Sequence, residues 1–173
     1  MQSADTILDA NFATQNIQLY SEEATKRDAM VSNVSYTLLL SLSDTLEGGY
    51  KGSYKIEFDI GEVPMTKEPF FLDFQGKQIS KVRVNGQECQ VKFDRHRIEL
   101  PWEALKQGSN SVTLEFANTY VVNSAGLHFY KDPQDNKVYI YSHLEPFFCH
   151  RFFPCFDQPS IRASLKLSVI VPH

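Results

Sequence analysis

His143 and Glu145 stand two residues apart at the end of a run rich in Val, Ile and Tyr that extends from Val138 to Glu145 and contains no Gly or Pro. Such a run predicts a strand. Side chains alternate faces along a strand, so Tyr139, Tyr141, His143 and Glu145 are expected on one face and Val138, Ile140, Ser142 and Leu144 on the other. Pro146 stops the ladder. An imidazole and a carboxylate would then project together beside a loop carrying Phe147, Phe148, Phe152, Phe153 and Phe156. Two polar groups at the end of a strand, beside an aromatic-rich loop, could hold a ligand. The plainer reading of each feature is a solvated rim carboxylate and a set of core or interface aromatics.

Other chemistries lack their residue patterns. A zinc peptidase needs H-E-x-x-H on a helix, which puts two imidazoles one turn apart on a single metal. The sequence has no such run. His143, Glu145, Cys149 and His150 are close in sequence. The break at Pro146 and the lack of paired-ligand spacing argue against a metal centre there. No G-x-S-x-G elbow supports a serine nucleophile, and no Gly-rich loop is suited to a phosphate.

The run Tyr141-Ser142-His143-Leu144-Glu145-Pro146, followed by Arg151-Phe152-Phe153-Pro154-Cys155-Phe156-Asp157-Gln158-Pro159, resembles the signature that closes the N-terminal domain of aminopeptidase N-like zinc metallopeptidases. That family also includes the leukotriene A4 hydrolases. Gly126-Leu127-His128-Phe129-Tyr130-Lys131-Asp132-Pro133 resembles a second family segment, Gly-Leu-His-x-x-x-Asp-Pro. The resemblance implies a saddle-shaped β domain that helps bind the free α-amino group of a peptide. Glu145 inherits that role by position. The family places Gln where this sequence has His143, a position that lines the first side-chain pocket, so substrate preference is expected to differ. Phe147, Phe148 and Tyr141 become pocket-wall or interface candidates.

The resemblance also implies a division of labour. Zinc and the remaining amine-binding residues belong to a catalytic domain absent from this sequence, so the chain is expected to need no cofactor of its own. Its expected partners are the peptide N-terminus and that catalytic domain, or another protein, docking on the aromatic-rich face. The alternative is a stand-alone, non-catalytic β-sandwich module derived from the same family.

The elements that must position these residues are mostly strands. A length of 173 residues suits a single domain, with residues 1–20 as an irregular lead-in. Ser21 to Ala29 predicts a short helix capped by Ser21, with its charges on a solvated face. Strands are predicted at Val34–Leu42, Tyr50–Ile60, Phe70–Phe74, Ile79–Val84, Cys89–Phe93, Ile98–Leu100, Ser111–Phe116 and Arg162–Val171. Asn85-Gly86 is a hairpin turn signal, and Pro101–Lys106 suggests one helical turn. The result is an all-β chain of curled antiparallel sheets with one or two short helices.

A net charge of −4 argues against a nucleic-acid partner. No apolar run reaches bilayer length, and no basic segment leads into an apolar one at the N-terminus. A cytoplasmic chain is expected, with Cys89, Cys149 and Cys155 as free thiols. The closeness of Cys149 and Cys155 leaves a disulfide open in an oxidising compartment.

Overall fold

The computed structural model describes residues 18–63, 68–123 and 125–172. Most of the predicted lead-in, residues 1–17, lies outside the described residues. Among the described residues a single α-helix, α1 (Ser21–Met30), precedes eleven strands: β1 (Val31–Leu42), β2 (Tyr50–Ile60), β3 (Phe70–Asp73), β4 (Gln78–Val84), β5 (Gln87–Glu88), β6 (Lys92–Phe93), β7 (Arg97–Leu100), β8 (Gly108–Asn118), β9 (Gly126–Lys131), β10 (Val138–His143) and β11 (Ala163–Ile170). Two 3-10 turns, Trp102–Ala104 and Cys149–Arg151, complete the set. The fold is mostly β, as expected.

The strands form a six-stranded sheet ordered β11-β1-β2-β8-β4-β5, a three-stranded sheet β3-β7-β6 and the hairpin β10-β9. Alternation explains the large sheet. Tyr54, Ile56, Phe58 and Ile60 of β2 are buried, while Glu57 is exposed and Lys55 and Asp59 are half-buried. The two larger sheets meet through aromatic rings: Phe58 of β2 lies 5.9 Å from Phe70 of β3 between centroids, and Phe116 of β8 packs edge-on against Phe74 at 5.2 Å. Offset and edge-to-face geometry suits the charge distribution of the rings and adds to the gain from burial. Asn85 and Gly86 both take positive φ, 52° and 83°, between β4 and β5, as the hairpin turn requires. Among the described residues no helix is long and apolar enough to cross a membrane.

Several expectations need correction. The helix cap is Tyr20 rather than Ser21: the Tyr20 N–H donates to the Glu23 carboxylate at 3.0 Å, the reciprocal half of a capping box. Of the predicted Cys89–Phe93 strand only Lys92–Phe93 is extended, as β6, and β5 ends before it at Glu88, because the chain crosses there from the large sheet to the small one. Gly126–Lys131 forms a strand that its composition did not announce.

β11 departs furthest from expectation. It pairs with β1 in parallel, not antiparallel, and all eight of its residues are exposed. Leu165, Leu167 and Val169 sit in register beside Tyr36, Leu38 and Leu40. Those neighbours are buried, while the β11 side chains are nearly half exposed. The strand is an edge of the sheet, and no described element covers its core-side row.

Candidate functional site

The segment after Glu145 is held by buried polar groups rather than by regular structure. Its aromatics enter the core: Phe153 packs on Tyr36 and Phe152 on Tyr50, and Phe156 is edge-on to Phe58. Tyr50 Oη donates to the carbonyls of Phe152 and Arg151, at 2.8 and 3.1 Å. Tyr36 Oη accepts from the Phe156 N–H at 3.0 Å. Burial pushes the Tyr36 hydroxyl well above its ordinary range, so it serves as a neutral hydrogen-bonding group. Asp73 and Cys155 exchange both backbone hydrogen bonds, at 2.8 and 3.0 Å, stitching the segment to β3.

A charged network lies behind this loop. Arg27 of α1 reaches Asp73 at 2.8 Å, and its Nε donates to Gln158 Oε1 at 3.1 Å. Asp73 Oδ2 also accepts the Asp157 N–H at 3.1 Å. Asp157 in turn accepts the His150 N–H at 3.0 Å and lies 2.7 Å from His150 Nδ1. Gln158 Nε2 donates back to the Ala24 carbonyl of the helix. Burial raises the Asp73 carboxyl, against the opposing pull of Arg27 and the Asp157 N–H. The Asp-Gln pair of the signature is therefore scaffolding that ties helix, sheet and loop together.

The same helix was expected to present its charges to solvent. Arg27 overturns that for its own position, being only 3% exposed. The spacing of Ala24, Arg27 and Met30 contained the signal: residues three apart share a helix face. Arg27 occupies a position on that face where an apolar residue would be usual.

Glu145 occupies the rim of this assembly. β10 ends at His143, two residues short of the predicted strand. Its partner β9 begins at Gly126, opposite His143, so the ladder has nothing further to pair with. Glu145 therefore sits in a turn rather than on a shared strand face with His143. Its side chain is exposed, and it makes no hydrogen bond or ion pair to a described residue. With Pro146 it borders a concavity of ≈ 540 Å³ whose wall includes Tyr36, Cys149, Cys155, Phe156 and Ile161. A carboxylate with no partner among the described residues, beside a partly apolar hollow, can accept hydrogen bonds from a cationic group.

The other predicted residues lie on the hairpin side. His143 is exposed, with its ring 6.4 Å from Phe148. Tyr141 stacks on the buried His128 at 4.7 Å. Phe147 packs on His150 at 4.5 Å, and Phe148 lies under the Arg151 guanidinium at 4.8 Å. None of these four lines the concavity beside Glu145. Tyr36, which does, was legible only as a strand residue. No three His, Cys, Asp or Glu side chains among the described residues are placed to hold a metal ion. His150 is committed to Asp157. The residues present do not fit a zinc centre.

The family model for the peptidase M1 N-terminal domain matches residues 32–173. The chain belongs to that family. This M1 N-terminal domain is similar to aminopeptidase N of Streptomyces lividans, with 30% identity over 90% of this chain and 18% of that protein. It is also similar to leucyl aminopeptidase of Saccharolobus solfataricus, with 34% identity over 72% of this chain and 15% of that protein. The chain thus spans less than a fifth of the length of these relatives. Its fold is shared with leukotriene A4 hydrolase from Saccharomyces cerevisiae, at a TM-score of 0.63 and 18% identity over 99% of this chain and 26% of that one. It is shared too with an M1 zinc metallopeptidase from Deinococcus radiodurans, at a TM-score of 0.59 and 22% identity over 83% and 33%.

Proposed function

We propose that this M1 domain is the substrate-anchoring part of a zinc aminopeptidase, and that the Glu145 carboxylate binds the α-ammonium of the peptide. The observation that carries the reading is the exposed Glu145, unpaired with any described residue, on the rim of the concavity. A carboxylate bonded within its own domain would have to give up that partner before taking a substrate. One left open has no such cost, and an exopeptidase must recognise a terminal ammonium. In this reading His143 contributes to the first side-chain pocket, with Phe147, Phe148 and Tyr141 forming wall or interface around it. Zinc and the groups that activate water belong to a catalytic domain outside this chain.

That domain is also the proposed cover for the chain's exposed apolar surface. Tyr130, Tyr139 and Tyr141 of the β9–β10 hairpin and Leu165, Leu167 and Val169 of β11 are each close to half exposed. Apolar surface on this scale is normally buried against a partner.

The test is an assay of the pure chain with unblocked peptides in the presence of added zinc. No turnover is expected. Zinc-dependent cleavage by the chain alone would overturn the division of labour.

A further inference from the structure

Two thiols on the wall of the Glu145 concavity have no part in amine binding. Cys149 opens the 3-10 turn after Pro146, and Cys155 follows six positions later. The intervening chain doubles back, with the Phe152 and Phe153 N–H groups both donating to the Cys149 carbonyl, at 2.9 and 3.2 Å. Cys155 is fixed from the other side by its two backbone hydrogen bonds to Asp73. The two thiols are neighbours on the wall of the same hollow, and Cys149 adds to the upward push that burial exerts on the Cys155 thiol. They are not equivalent, however. Cys155 is 2% exposed, whereas Cys149 is half-buried and open to the hollow. Cys89 lies apart, in the crossover between β5 and β6, with its N–H on the Val82 carbonyl.

We propose that Cys149 and Cys155 form a peroxide-sensitive dithiol that closes reversibly to an intrachain disulfide. Cys149 is the sulfur a hydroperoxide reaches first. Its thiolate attacks one peroxide oxygen, the O–O bond breaks, and the other oxygen leaves as water or alcohol, giving a sulfenic acid. The Cys155 sulfur then attacks the Cys149 sulfur. The S–S bond forms, the S–O bond breaks, and the hydroxyl leaves as water with the Cys155 proton. Two thiols and one hydrogen peroxide yield one disulfide and two waters. Burial pushes the Cys155 thiol well up, so closure is slow at neutral pH and quickens as pH rises. The product would lock the turn that follows Glu145 onto the segment stitched to β3.

The experiment treats the native chain with hydrogen peroxide, blocks residual thiols and maps the protein by mass spectrometry. Trypsin cuts after Arg151, so the proposed bridge joins two peptides. The expected result is one chain lighter by two hydrogens, a Cys149–Cys155 cross-linked pair, Cys89 still alkylated, and full reversal by dithiothreitol. Cys155→Ala should instead accumulate sulfenic acid at Cys149, trapped by dimedone several-fold above wild type. Sulfinic acid at Cys149 of the wild-type chain without cross-link, or a bridge made by Cys89, would overturn the proposal. The wild-type measurement decides even if the variant fails to fold.

Discussion

Arg27 and Asp73 form an ion pair at 2.8 Å, with side chains only 4% and 6% exposed. It joins the one described α-helix to the small sheet, directly behind the loop that carries the site. The guanidinium also faces the rings of Phe71 and Phe156, at 5.1 and 5.4 Å. Removing one partner leaves the other charge buried, at a cost of about 3–5 kcal/mol. Arg27→Ala should lower the unfolding free energy by that order, read as a fall in the urea midpoint at unchanged slope. Arg27→Met combined with Asp73→Leu should cost less than the sum of the two single changes, because no charge is stranded. Additive losses in denaturation curves would show that the pair does not act as a unit.

Glu23 gives the fold an acid limit. Burial alone would push its carboxyl up. The hydrogen bond from Arg97, the Tyr20 N–H and the charges of Arg97 and Arg27 outweigh that and hold it below the ordinary 4.5. A carboxyl lowered in the folded chain adds stability that is complete above its unfolded value and disappears as pH falls through the folded one. Stability should therefore decline below pH 4.5 in part through the Glu23–Arg97 pair, whose contacts are 2.6 and 2.9 Å. Glu23→Gln should flatten that part of the decline in a pH series of thermal melts. An unchanged slope would remove Glu23 as a contributor.

Gly52 is required by its neighbour. A Cβ there would collide with the edge of the Phe116 ring, which packs on both Tyr50 and Phe74. Gly52→Ala should destabilise the chain by roughly 1–3 kcal/mol, the usual cost of overpacking a filled core. Phe116→Leu in the same background should recover part of the loss. Both are read from equilibrium unfolding.

Legibility from sequence followed physical range. β1 and β2 were readable because alternation is local and each strand has a buried face. Asn85-Gly86 was readable because positive φ restricts residue choice. β9 was not, since Gly126 to Lys131 mixes Leu, Phe and Tyr with His and Lys, and the six residues that join it to β10 carry no two-residue turn signal. The direction of β11 was also hidden, because parallel and antiparallel edge strands carry the same pattern. At the site, Glu145 was found through its motif, but the end of its strand depended on where β9 begins. Arg27 was missed because a buried ion pair joins residues 46 apart in sequence.

The most direct test of the proposed amine-reading role compares two substrates in a protein that joins this domain to an M1 catalytic domain. One is a peptide with a free α-amino group and the other its deaminated analogue, each measured with wild-type protein and with Glu145→Gln. Losing one member of a desolvated charged pair costs roughly 2–5 kcal/mol, about 30-fold to several thousand-fold. The account predicts a fall of that size in kcat/KM for the amino peptide and little change for the analogue. Equal losses on both substrates, or none on either, would contradict it.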